Sequence, residues 1–299
     1  MNRKDVDVHA SIMSYREPTP EERSVKMRES PPAANLKAIA NAMPDASTPL
    51  RLNMIPFRQP SAEGGASVVA TVDVRDVAPV NRAREAVGLL MRAFTMDGAL
   101  RAEKSQNVTV SLTPVDSSAD ATRPIRYGVV SRLDLAKAGR YTVRIGVSNE
   151  VDKTTGSVYA DLDVPDFTQT LALSGVAVSS DAGVVAAQAD SIRALLPTVP
   201  TTDREFPQAS HVSTFFRIYE GGRGAVFPVT VKTSIHDQSD TVVFGQSTTY
   251  APERFGTSRS ADVAFELPLA RLPPSPYLLT FEASGHDKVI ERDVIFTVK

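Results

Sequence analysis

A protein-bound zinc needs three or four converging ligands, and the chain offers four histidines toward one: His9, His211, His236 and His286. They are scattered over its whole length. Only His236-Asp237 and His286-Asp287 place a second ligand type alongside, and both pairs stand in turn-like sequence. With no cysteine, thiolate metal sites and disulfides are excluded. Among the carboxylates, Asp161 and Asp163 share one face of a strand at i, i+2, with Asp134 in the same hairpin region. Glycosidase chemistry needs two carboxylates across a cleft, so this group reads as a solvated outer face. Asp181, Asp190, Asp203 and Glu205 could offer oxygens to calcium, but the alternating Asp loop with its glycine is missing. Gly221-Gly222-Arg223-Gly224 has neither the lysine nor the following helix of a phosphate loop, and reads as a β-turn. Ser174-Gly175 lies in strand-like sequence, which is the wrong setting for a nucleophile elbow. The sequon Asn107-Val108-Thr109 also falls inside a strand. With no tryptophan and 6% aromatic residues, most of Tyr127, Tyr141, Tyr159, Tyr219, Tyr277, Phe215, Phe216 and Phe281 are needed for cores. The expectation is no catalytic, cofactor-binding or metal-binding residue, and no cofactor.

The elements that carry these residues are strands. In Leu133–Val164, Tyr141, Val143, Ile145 and Val147 alternate with Thr142, Arg144, Gly146 and Ser148. In Leu267–Val298, Tyr277, Leu279, Phe281 and Ala283 alternate with Leu278, Thr280, Glu282 and Ser284. A period of two is what a half-buried strand requires. Both stretches open on Leu-x-Leu-Ala and reach the tyrosine through a turn bearing Gly or Pro, so the chain reads as a tandem repeat. Seven strands are expected in each half. The first seven are 50–57, 66–74, 87–94, 100–112, 125–135, 140–148 and 156–164. The second seven are 171–179, 211–219, 226–235, 240–249, 260–269, 277–284 and 289–298. Asp97-Gly98 is the strongest hairpin signal, and Gly221 after Tyr219-Glu220 suggests a turn with positive φ. The expected fold is all-β, two tandem immunoglobulin/fibronectin-like antiparallel β-sandwiches with a short helical N-terminal lead-in. The expected division is a linker over 1–47, a first sandwich over 48–166 and a second over 167–299. In the lead-in, Leu36, Ile39, Ala40 and Met43 space out one short amphipathic helix ending before Pro44, read as covering a sheet edge. The irregular run from Ala182 to Gln208 is longer than an ordinary sandwich loop. It carries Ile192, Leu195 and Leu196, and is expected to pack along the junction of the two halves.

Composition narrows the partners. Lys and Arg number 33 against 35 acidic residues, for a net charge of −2, which leaves no electrostatic footprint for nucleic acid. No stretch approaches the ~20 apolar residues of a spanning helix, so no membrane insertion is expected. The start, MNRKDVDVHASIM, lacks the apolar core of a signal peptide. It begins in strand-like alternation at Val6, Val8 and Ala10, as the end of a longer protein would.

Several phrases, taken in order, resemble the C-terminal region of bacterial (acidobacterial-type) von Willebrand factor A-related proteins. They are Tyr15 followed by Glu17-Pro18-Thr19-Pro20-Glu21-Glu22, and Leu50-Arg51-Leu52 with Pro56-Phe57-Arg58. Gly139-Arg140-Tyr141 follows, then Val164-Pro165-Asp166-Phe167 with Leu171-Ala172-Leu173-Ser174-Gly175. The last is Thr201-Thr202-Asp203-Arg204-Glu205-Phe206 leading to Phe216-Arg217-Ile218-Tyr219. The family's A domain, with its metal-dependent adhesion signature, has no counterpart here. Asp45-Ala46-Ser47-Thr48-Pro49 lacks the second serine, so no metal ligand carries over. The resemblance implies an extracytoplasmic setting, periplasmic or secreted. The expected function is a non-enzymatic interaction or scaffold module with a protein partner. The alternative is a carbohydrate-binding or wall-associated module.

Overall fold

The computed structural model describes residues 10–12, 34–59, 64–112, 121–181, 186–187 and 190–299. The expected strands form, usually longer at their ends. The first seven are β2 (Leu50–Arg58), β3 (Ala66–Pro79), β4 (Arg84–Thr95), β5 (Leu100–Ser111), β6 (Thr122–Leu135), β7 (Gly139–Asn149) and β8 (Thr155–Val164). They make a three-stranded sheet in the order β6-β3-β2 and a four-stranded sheet in the order β5-β4-β7-β8. A short β1 (Ala10–Ile12) extends the second sheet at β5.

The second half repeats this plan. β10 (Ala177–Ser180), β13 (Val212–Tyr219) and β16 (Ser260–Glu266) form the three-stranded sheet. β15 (Val242–Tyr250), β14 (Val229–His236), β17 (Ser275–Gly285) and β18 (Lys288–Val298) form the four-stranded one, in that order. Thus β10 matches β2, β13 matches β3, and so on to β18 and β8. The fold is all-β, two tandem antiparallel sandwiches of immunoglobulin/fibronectin type.

Each sandwich encloses its own core. Val68, Val72, Leu89, Met91, Val129 and Ile145 meet in the first. Phe216, Val231, Phe265, Leu279, Phe281 and Phe296 meet in the second. The alternation of β7 and β17 is observed as read: Tyr141, Val143, Ile145 and Val147 are buried, as are Tyr277, Leu279, Phe281 and Ala283. The two tyrosines close equivalent corners. The Tyr141 hydroxyl donates to the Lys137 carbonyl and the Tyr277 hydroxyl to the Pro273 carbonyl, each at 2.8 Å and each four residues upstream. This is the tyrosine corner of such sandwiches. Tyr141→Phe and Tyr277→Phe should each lower stability by about 1 kcal/mol, the net worth of one hydrogen bond. Urea denaturation checks this, and a loss at one corner only would mean the two are not equivalent.

Several expectations need correction: the strands expected from 226 and 240 begin only at Val229 and Val242. The stretch 171–179 is two pieces, β9 (Ala172–Leu173) and β10. Gly175 lies between them, so close to β2 that an added Cβ would stand 2.8 Å from Pro56 Cδ. The strand expected to reach Leu269 ends at Glu266, because Leu269–Arg271 forms a 3₁₀ turn, and Leu269 and the following Leu272 still enter the core.

The lead-in helix is α1 (Ala34–Ala40), but its buried side is Asn35, Ala38 and Ile39, while Met43 is 77% exposed. It lies on the outward face of the β4-β7-β8 sheet rather than at an edge. Gly146 makes this approach possible, since a Cβ there would fall 2.5 Å from the Asn35 carbonyl oxygen. A helix leaves its last carbonyls unpaired, and here the sheet supplies the donors. Arg144 donates to the carbonyls of Ile39 and Asn41, Tyr159 to Asn41, and Ser157 to Ala38. The Arg144 guanidinium stacks over the Tyr159 ring at 4.7 Å.

Candidate functional site

The four-residue α2 (Asp190–Arg193) begins the best-defined part of the long insertion between β10 and β13. Here the two three-stranded sheets turn their outward faces toward each other. Ile55 and Phe57 of β2, Val69 of β3 and Val130 of β6 face Ala177 of β10 and Phe215 of β13. Ile192, Leu195 and Leu196 fill the space between. Phe57 and Phe215 approach with ring centroids 6.4 Å apart. The run from Ala66 to Val74 is buried at every position: Ala66, Val68, Ala70, Val72 and Val74 serve the first core, and Val69 serves this junction.

Ion pairs fasten the insertion as well. Asp73, buried on β3, receives a forked contact from Arg126 of β6 and a hydrogen bond from the Thr202 hydroxyl. Arg126 reaches on to Asp203 at 2.8 Å, and Arg51 lies 3.5 Å from the same carboxylate. The neighbouring carboxylates hold Arg126 above the usual guanidinium range, Asp73 most of all, against the opposing effect of burial. Beyond Asp203, β12 (Glu205–Phe206) joins β18 in parallel and Phe206 enters the second core. Earlier, β11 (Ala186–Ala187) joins β6 in parallel. The insertion thus adds a strand to each sandwich and a plug between them. The expectation that it packs along the junction holds for its described residues.

The other side of the junction is closed by the chain itself. Arg58 lies over the Tyr219 ring at 4.7 Å, and its backbone amide donates to the Tyr219 hydroxyl. Phe167 meets Tyr219 edge-on at 5.0 Å. Burial pushes the Tyr219 phenol up. Gly221 is the tightest contact: a Cβ would stand 2.4 Å from the Thr168 carbonyl carbon. Its backbone is not in the positive-φ region, so close approach, not the turn type expected, requires glycine here. Arg259 donates to the carbonyls of Glu220 and Gly224, and pairs with the fully buried Glu220 carboxylate at 3.2 Å. Burial pushes that carboxyl up, and the Phe227 amide and Arg259 pull it back.

The structure keeps the described chemistry-bearing residues of the sequence apart. His9 lies outside the described residues. The His236 ring bonds Asp240 and Ser234 at 2.9 and 3.0 Å; His286 stacks on Phe227; His211 stands 3.3 Å from Glu266, exposed. Among the described residues no three His, Asp or Glu side chains converge as a metal site. Asp161 and Asp163 are exposed, bonded to Thr142 and facing Arg140. Ser174 pairs with Arg217 through its backbone amide and its hydroxyl. Asp45 caps Ser47 and accepts from Thr155. No described aromatic ring is more than partly exposed. A shallow groove of about 500 Å³ beside the junction is lined by Asp166, Gln169, Leu173, Lys288 and Arg292. Arg292 there donates to the carbonyls of Leu173 and Ser174.

Sequence reasoning missed one polar cluster. Glu85 stands on the core-facing phase of β4, fully buried, held by Arg82 and Asn149 at 2.8 Å each. Arg82 also forks onto Asp152. The signal was present: Glu85 shares its parity with Val87, Leu89 and Met91. No described helix is long and apolar enough to cross a membrane.

The chain matches no family model and no curated protein. Among solved structures, a glycosyl hydrolase family 2 member from Bacteroides cellulosilyticus is 11% identical over 76% of this chain and 26% of that one, with a TM-score of 0.33. A putative β-galactosidase from Bacteroides fragilis is 12% identical over 98% of this chain and 41% of that one, at 0.29. Dimeric latent PorU from Porphyromonas gingivalis is 11% identical over 85% and 20%, at 0.32. The chain spans less than half of each, and likenesses this distant carry no statement about chemistry.

Proposed function

We propose that the chain is a non-enzymatic scaffold, two β-sandwiches held at one angle so that both present surfaces to a protein partner. The observation that carries this reading is the junction. Nine buried apolar residues from both sandwiches and the insertion form a core of their own there. A hinge between mobile domains is smaller and more polar. The polar side chains that could do chemistry are engaged in capping, pairing and stacking, which supports a binding role over a catalytic one. The setting follows from the sequence resemblance: the C-terminal part of an exported von Willebrand factor A-related protein.

Limited trypsin digestion tests the fixed angle. In the wild type, cleavage after Arg193 or Arg204 should be slow, because it requires the junction to open. Leu196 is fully buried, and Leu196→Ala should cost about 2–5 kcal/mol. If the junction opens locally, cleavage there accelerates more than about tenfold. Rapid cleavage of the wild type at these bonds would make the insertion a tether and remove the basis of the scaffold reading.

A further inference from the structure

The two sandwiches treat the same strand differently. In the first, the outer edge of β5 receives β1, with Ala10 opposite Val110, Ser11 opposite Thr109 and Ile12 opposite Val108. In the second, the matching β15 ends its sheet, and no strand among the described residues lies on its outer edge. An open edge offers a row of unpaired N–H and C=O groups, which proteins normally defend with charge, proline or a cover. Other edges here are defended. β8 carries Asp161 and Asp163, the part of β5 beyond β1 carries Arg101, Glu103 and Lys104, and β18 carries Lys288, Glu291, Arg292 and Asp293, with β12 pairing its last two residues. β15 reads VVFGQSTTY, without a charge or a proline.

Its faces are open too. Gln246 and Thr248 stand opposite Thr233 and Val231, on the core-facing phase, yet both are exposed. Val242 and Val243 are 56% and 44% exposed. The one irregularity in its pairing with β14 lies at the start, so Phe244–Tyr250 is regular strand.

We propose that β15 is a dimerisation edge, where two copies of this chain pair antiparallel along β15 into one continuous sheet. A second copy fits better than a foreign strand because this edge is compatible with itself. In a two-fold pairing centred on Gln246, the middle residue, each Phe244 faces Thr248 of the second copy. That is a favourable β-branched–aromatic cross-strand pair. No like charges meet across the axis, because the strand has none. The pairing is isologous and closes at two copies. The first sandwich shows that the equivalent edge accepts an antiparallel strand. The inference is independent of the scaffold reading, since an enzyme could dimerise by the same edge.

Sedimentation velocity of the full chain over a concentration series provides the test. The wild type should form a dimer. Gln246→Lys and Gln246→Glu each place like charges opposite one another, and should raise the dimer dissociation constant about fivefold or more. An equimolar mixture of the two should restore the dimer. In the wild type, hydrogen exchange in β15 should slow as concentration rises. A monomer at every concentration, a dimer indifferent to both variants, or a mixture that stays monomeric would each overturn the proposal. The exchange measurement needs no variant: unchanged β15 amides in a dimeric sample would overturn it equally.

Discussion

Truncating Phe281 to alanine should remove about 3–5 kcal/mol of folding stability, the usual loss for a fully buried phenylalanine. Phe281 sits mid-strand on the inward phase of β17 with no exposed surface. Its ring lies 4.8 Å from Phe216 of β13 and 6.0 Å, edge-on, from Phe265 of β16. It therefore ties the four-stranded sheet to two strands of the opposite one. Neither neighbour can fill the gap, because each is anchored in its own strand. Phe281→Leu should lose clearly less, because it keeps most of the volume. Urea denaturation gives both values, and a loss below about 1 kcal/mol for the alanine variant would mean the two sheets do not meet at this ring.

The second large effect is expected at Arg82. Glu85 has no exposed surface, and among the described residues Arg82 is its only cationic partner. Removing one member of a buried pair leaves an uncompensated charge and typically costs 3–5 kcal/mol. Asn149 still donates to Glu85, and Asp152 keeps some contact with water. Arg82→Met should therefore fall near the lower bound, about 3 kcal/mol. The double variant Arg82→Met with Glu85→Gln should recover much of that loss, since the orphaned charge is gone. If the double variant is no more stable than the single one, the cost lies in the lost Arg82–Asp152 contact instead.

Strands were legible in this sequence because alternation is local. Tyr141 to Val147 and Tyr277 to Ala283 declare their faces within eight residues, and turn signals such as Asp97-Gly98 (Gly98 at φ 85°) mark the ends. What depends on distant surfaces was less legible. Hydrophobicity alone assigns α1 a buried face of Leu36, Ile39, Ala40 and Met43. The real face includes polar Asn35, which lies against the backbone space that Gly146 and Gly88 leave on the sheet. Ala66–Val74 alternates weakly and could be assigned either phase, because both faces are covered. The partners of Glu85 and Asp73 were illegible: Asn149 and Thr202 lie 64 and 129 positions away in the chain. Among the described residues, no three His, Asp or Glu side chains converge.

The plug between the sandwiches makes the repeat in the sequence a poor guide to where the chain can be cut. Division near residue 166 would take Phe167, Ala172 and Tyr219 out of the first core, and it would also strip the junction. The N-terminal piece would bare Ile55, Phe57, Val69 and Val130, and the C-terminal piece would bare Phe215 with Ile192, Leu195 and Leu196. Apolar patches of that kind favour self-association. Asp73 and Arg126 would lose Thr202 and Asp203 at the same time. Expressed alone, each piece would carry a complete strand set and still handle as an aggregation-prone fragment. The smallest well-behaved product would be the pair.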